Sequence, residues 1–435
     1  MTEFLDRHDV LDPHQFGFRA KHSTFHPFMM SKEFIQTELH KKNEVILLSL
    51  DLKKAFDTCK TDGTLQNKIQ YYFQNQNFTN WFTSYFKNRR QLTCWNGVNS
   101  NIFNNHELSI IQGSAVGPHL FNLYLNDLSK VTSSFSVFFA DNSNFLIACK
   151  NAKEFNRLIN LEIKKIKGFL DANGLSINTG KTTYLHFVPK GKKKTNLELK
   201  IGNRTIQEVN HLRFLGVYID NRLSFNEHFK KVLNKVQNGL RGLIMSKHFL
   251  SYRAKLNVYH ALIHSHLSYC AIIWLDSLNS KQLNQLKIIQ KKCIRIIFNA
   301  KYNSHTSKFF EFSRICKIEN LYEKEALQLT FKYFDRALPK AIMNLYNKSL
   351  HDPKKVTRSI EACSLYPKPF LKPGNMMFNI ITHWNQISPS LKNEKSLKEF
   401  KTKIINIQNT AVDCVKQNCY SCNYNYQNLK NLIRY

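Results

Sequence analysis

Short apolar runs that end at acidic residues constrain this chain most. Val45-Ile46-Leu47-Leu48-Ser49-Leu50 is apolar, rich in β-branching and too short for a buried helix, so it predicts a buried strand, and it stops at Asp51. Ser134-Phe135-Ser136-Val137-Phe138-Phe139-Ala140 and Phe145-Leu146-Ile147-Ala148-Cys149 predict two more strands, and the polar turn Asp141-Asn142-Ser143-Asn144 between them predicts a hairpin. Strand ends and tight turns hold carboxylates rigidly, and an apolar flank strengthens their pull on a cation. Asp51 and Asp141, if adjacent, can hold Mg²⁺, which takes few protein carboxylates and keeps water and substrate phosphate for the rest of its shell. The competing reading is two separate, solvated turn residues.

Around these strands the pattern is mixed. From Ala152 to Ala172 the apolar residues Phe155, Leu158, Ile159, Ile163, Ile166, Phe169 and Leu170 recur at helical spacing, and Asn173-Gly174 supplies a stop. Thr183 to Val188 predicts a strand, Lys190 to Lys194 a basic loop, and Gly202-Asn203 a hairpin turn between Leu197–Ile201 and Thr205–Val209. Residues 1–44 are polar and helix-like, and 64–90 read as helices. Beyond Asn221 the pattern is helical to about residue 338. The expected division is 1–221, 222–339 and 340–435: an α+β part, then two mostly α parts.

Charge narrows the partners. Lys and Arg number 63 against 31 Asp and Glu, a net charge of +32 over 435 residues. Such an excess repels itself unless a polyanion neutralises it, and nucleic acid is the usual one. The N-terminus does not read as a signal peptide, and no apolar run approaches the roughly 20 residues that span a bilayer. The expectation is therefore an intracellular protein, nuclear or cytoplasmic, with no membrane partner. Cysteines such as Cys149, Cys270 and Cys293 lie in apolar segments and read as buried thiols.

Six segments then occur in a fixed order: Gln15-Phe16-Gly17-Phe18-Arg19; Leu50-Asp51-Leu52-Lys53-Lys54-Ala55-Phe56-Asp57; Gln112-Gly113-Ser114-Ala115-Val116-Gly117-Pro118; Phe139-Ala140-Asp141-Asn142; Asn173-Gly174-Leu175 with Asn178 and Lys181-Thr182; and Phe214-Leu215-Gly216-Val217. Together they resemble the reverse transcriptases of non-LTR (LINE-type) retrotransposons. Trp274, Gln290-Lys291-Lys292 and His383-Trp384-Asn385 extend the likeness toward the C-terminus.

The resemblance implies a right-hand polymerase: partial fingers, including residues 1–40 and parts of 64–110, an antiparallel palm sheet with packed helices, and a helical thumb and C-terminal region. It implies an RNA-directed DNA polymerase, or nucleotidyltransferase, that adds dNTPs to a DNA primer 3′-hydroxyl on an RNA template. Two Mg²⁺ ions would serve, with Mn²⁺ as a substitute, held by Asp51 and Asp141 with the Leu52 carbonyl. Phe56 would exclude a 2′-hydroxyl, Gln112 and Gly113 would approach the templating base pair, Lys181 would act on the departing pyrophosphate, and Phe214, Leu215 and Gly216 would contact the primer. Without the motif, Phe56 reads as a core aromatic and Lys181 as a surface lysine.

The chain departs from the family in two places. Asn142 stands where the family has a second hairpin aspartate, and Ile111 stands where it usually has proline. Recognisable motifs begin almost at the first residue, so a truncated copy lacking the endonuclease domain is expected. The loss of one carboxylate predicts weakened polymerisation, and the alternative is an inactive remnant or recruited derivative that grips RNA or RNA–DNA hybrid. Cys414, Cys419 and Cys422 hint at a zinc site without a complete ligand set, and His260 and His264 read as ordinary helix residues.

Overall fold

The computed structural model describes residues 1–105, 108–351 and 364–410. Two compact units emerge, Met1–Leu212 with Pro339–Ala341, and Arg213–Leu338 with the described residues from Ile342 onward. The units divide between Leu212 and Arg213.

The first unit is built on a five-stranded sheet. Its strands are β1 (Glu44–Leu50), β2 (Phe135–Phe139), β3 (Asn142–Cys149), β4 (Thr183–Phe187) and β5 (Gln207–Glu208), in the order β5-β4-β1-β3-β2. β1 is central, antiparallel to both β3 and β4, which explains why almost every one of its residues is apolar: both faces are covered. On one face Ile46, Leu48, Leu50, Phe145 and Ile147 join the main core with Leu120, Phe121 and Tyr124 of helix α2 (Gly117–Leu125) and the buried stripe of helix α3 (Ala152–Ala172). The other face packs under helix α1 (Phe25–His40).

Helix α3 has the predicted ends. The Asn151 side chain accepts from the Lys153 N–H at 3.0 Å, and Gly174 closes the helix at φ +71°, where a Cβ would be strained. Two expectations need correction. The four-residue polar turn Asp141–Asn144 contracts to Ala140 and Asp141, because Asn142, Ser143 and Asn144 pair with β1 and β2. The hairpin around Gly202-Asn203 keeps its turn, pairing Ile201 with Arg204, but the returning strand splits and Gln207–Glu208 joins β4 in parallel.

Residues near the N-terminus also contribute to the sheet. Gln15 bridges Phe138 in parallel, so the chain between His14 and Phe16 borders β2. That segment belongs with the sheet that the resemblance calls the palm, whereas it was expected among the fingers.

The second unit is helical after a hairpin, His211–Phe214 with Val217–Asp220, that starts at the boundary. Helices Asn226–Ser246, Ser280–Ile297, Ile318–Phe334, Met376–Gln386 and Leu397–Asn409 bury Trp274 and Trp384 completely. His260 and His264 sit on one π-helical turn with ring centroids 5.3 Å apart, and no third ligand joins them among the described residues. Cys414, Cys419 and Cys422 lie outside the described residues. The six described cysteines are free thiols; Cys270 and Cys293 are buried as expected, while Cys149 is only half-buried.

Candidate active site

The register of β1 against β3 sets the site. Leu50 pairs with Ser143 and Phe139 with Asn142, so extending β1 by one residue puts Asp51 opposite Asn142 and beside Asp141. Asp51 is near enough for its charge to act on the Asp141 carboxyl. Both side chains are half-buried. Burial is the main reason the Asp141 carboxyl titrates above the ordinary 3.8, and the negative charge of Asp51 pushes the same way against two stabilising backbone N–H groups, those of Asp141 and Asn142. Two carboxylates whose charges oppose each other in a partly dry site favour a cation between them.

Asp51 is fixed by its neighbours. Its N–H donates to the Thr182 hydroxyl at 3.3 Å, its carbonyl accepts from the Asn178 N–H at 2.8 Å, and Leu52 bridges Ile177. Thr182 is buried and its hydroxyl donates to the Asn178 carbonyl. The turn Asn178–Lys181 is thereby held against the first aspartate, and Lys181 extends from it into solvent. Nothing in the residue types of Thr182 and Asn178 announces this role; only their place in the ordered motifs marks them.

Phe56 is half-buried, and its ring stacks on Phe121 with centroids 4.4 Å apart. The ring is anchored on the core and is not sealed inside it. The Gln112 side chain donates to Asp57 Oδ1 at 3.0 Å, which ties the third motif to the second. Gly113 follows at φ +82°, and a Cβ there would meet nothing within 4 Å, so its glycine serves the backbone turn.

Asn142 is exposed, and its amide donates to Asp141 Oδ1 at a long 3.4 Å. No group of three His, Cys, Asp or Glu side chains suited to a metal occurs among the described residues. The donor set is two carboxylates with a backbone carbonyl nearby: oxygen-only and anionic, which fits a hard divalent cation that keeps several waters. It carries one charge fewer than the family pattern.

Phe214, Leu215 and Gly216 lie in the second unit. Phe214 is buried, Leu215 and Gly216 turn at φ +40° and +87°, and the Tyr269 hydroxyl donates to the Leu215 carbonyl at 2.6 Å. A Cβ at Gly216 would meet the Tyr269 ring at 3.4 Å.

This sheet, with carboxylates at the end of its central strand and in the neighbouring hairpin, is the architecture of a nucleotidyl-transferring polymerase palm. Residues 1–219 match the family described as reverse transcriptase (RNA-dependent DNA polymerase). The chain belongs to that family, in its non-LTR retrotransposon branch, with an α+β polymerase fold. It is 25% identical over 307 residues to a probable RNA-directed DNA polymerase from transposon X-element of Drosophila melanogaster, covering 68% of this chain and 33% of that protein. The RNA-directed DNA polymerase from mobile element jockey of Drosophila funebris is 22% identical, with 67% and 32% covered. The chain thus spans about a third of the length of the curated relatives it matches. A telomerase from Candida albicans in complex with a telomeric RNA fragment aligns with a TM-score of 0.39 at 12% identity over 74% of this chain and 51% of that one, too low to add to the argument. Reverse transcriptases generally use divalent metal ions.

Proposed function

We propose that this chain is the polymerase core of a non-LTR element, extending a DNA primer on an RNA template with dNTPs. The observation that carries the reading is the β1–β3 register, which sets Asp51 beside Asp141. Asp51 and Asp141 with the Leu52 carbonyl would hold Mg²⁺, two ions in the full arrangement, with Mn²⁺ able to replace them. When bound, such ions acidify the primer 3′-hydroxyl and offset the charge that develops on the phosphates.

The chain's own residues supply the rest. Phe56, braced on Phe121, presents a rigid ring five positions past Asp51 that restricts a 2′-hydroxyl. Gln112, held by Asp57, and Gly113 give a backbone that approaches the nascent base pair closely. Lys181, on the turn anchored by Thr182, donates a proton to the departing pyrophosphate. Phe214, Leu215 and Gly216 contact the primer, and the helices between residues 222 and 338 form a thumb.

The exposed, neutral Asn142 favours a second reading, in which the chain binds RNA or RNA–DNA hybrid without extending it. Primer extension on an RNA template, in Mg²⁺ and separately in Mn²⁺, decides. Extension by the parent that vanishes in Asp51→Ala supports the enzyme, and Asn142→Asp should raise the rate at least about tenfold, the equivalent of ~1.4 kcal/mol. Extension only after Asn142→Asp marks an inactivated polymerase. Salt-sensitive hybrid binding with no extension in any variant supports the binding protein.

A further inference from the structure

The turn that presents Asp141 is held from beneath by a residue with no assigned role. Gln15 is buried, and its side-chain oxygen accepts from the Ala140 N–H at 3.0 Å and from the Gly17 N–H at 2.9 Å. Its side-chain nitrogen donates to the Ala140 carbonyl at 3.4 Å. The N–H belongs to the peptide before Ala140 and the carbonyl to the peptide after it. One planar amide, with a donor and an acceptor in fixed relation, therefore grips both peptide planes that flank Ala140. That grip matters because Ala140 sits at φ +55°, a conformation that residues other than glycine rarely adopt and keep only when their surroundings impose it.

The second plane also carries the Asp141 N–H, one of the groups that face the Asp141 carboxylate. Fixing the Ala140 carbonyl on one side of this plane fixes the direction of that N–H on the other. Gly17 completes the cradle: a Cβ there would collide with the Ala140 nitrogen, so only glycine lets the two backbones approach. The Gly17 carbonyl is itself held by the buried Asn122 side chain at 2.8 Å.

The geometry points to Gln15 as a positioning residue for the candidate metal site: its amide sets the backbone of Ala140 and so the direction in which Asp141 presents its carboxylate. This rests on the polymerase reading of Asp51 and Asp141. Mn²⁺ titration of the full chain, followed by electron paramagnetic resonance, tests both without requiring catalysis. Gln15→Ala, measured at a temperature where the variant is fully folded, should weaken Mn²⁺ binding about five- to tenfold, and the N–H groups it leaves unpaired should lower its thermal midpoint as well. Gln15→Glu, which keeps the acceptor oxygen but loses the donor to the Ala140 carbonyl, should weaken binding as Gln15→Ala does, and Gly17→Ala should weaken binding from the opposite side of the turn. Parent-like affinity in both Gln15→Ala and Gly17→Ala overturns the proposal. So does an equal loss of Mn²⁺ affinity in a core variant of α3 with a similarly lowered thermal midpoint, Ile166→Ala, since that marks a merely structural effect. If Asp51→Ala leaves Mn²⁺ binding by the parent unchanged, the metal-site reading itself fails and takes the role of Gln15 with it.

Discussion

Asn144 shows how closely the candidate site borders the core. It lies on β3 opposite Ser49 of β1 and Val137 of β2, fully buried, and neither atom of its amide has a hydrogen-bond partner. A buried polar group left unpaired costs about 1–3 kcal/mol. Asn144→Val, a residue suited to a central strand, should therefore stabilise the chain by ~1 kcal/mol in urea denaturation; a loss instead would mean that the amide is satisfied in solution. Asn142, two positions earlier, is the opposite case, an exposed amide. Its place in the motif was legible from sequence, whereas the role of Gln15 was not, because its partner Ala140 is remote in the chain and an interior glutamine has no signature of its own.

At the scale of elements, polar clasps fix how the strands enter the sheet. Glu162 projects from α3 into the loop before β2, where it accepts from the Ser133 N–H and hydroxyl at 2.9 Å and from Lys165 at 2.7 Å. Burial alone would raise its pKa, but Lys165, Thr132 and Ser133 outweigh it and hold the carboxyl down at about 2. A carboxyl depressed on folding contributes stability above its unfolded pKa and loses it as pH falls through the folded one. Glu162→Gln should thus cost ~2–3 kcal/mol at pH 7. The gap between parent and variant should close as pH falls from 4.5 toward about 2, as followed by denaturation at stepped pH. A gap independent of pH would show that hydrogen-bond geometry, and not charge, is what the variant loses. Helix α3 itself was readable from its periodicity and caps. The contraction of the Asp141 turn was not, since a polar run signals a loop whether or not its residues pair with a neighbouring strand.

For the whole molecule the dominant property is the net charge of +32. If the chain grips nucleic acid through six to ten phosphates, affinity for an RNA–DNA hybrid should fall by about 10³–10⁵ between 50 and 200 mM salt. Fluorescence anisotropy across that range checks this, and a nearly flat response would count against phosphate-driven binding. Among the described residues no helix is long and apolar enough to cross a membrane, in line with the polar character of the sequence.

The sequence by itself determined the strands that end or turn at Asp51 and Asp141, the amphipathic α3, the basic balance and the order of the motifs. All of these follow from local periodicity, residue type and spacing. Only the tertiary structure decided that Asp51 lies beside Asp141, that Thr182 holds the first aspartate and that Gln15 and Gly17 cradle the turn of the second. Those relations are made by strand register and by contacts between residues far apart in the chain, where pairing depends on the packing of the whole sheet and leaves no local mark.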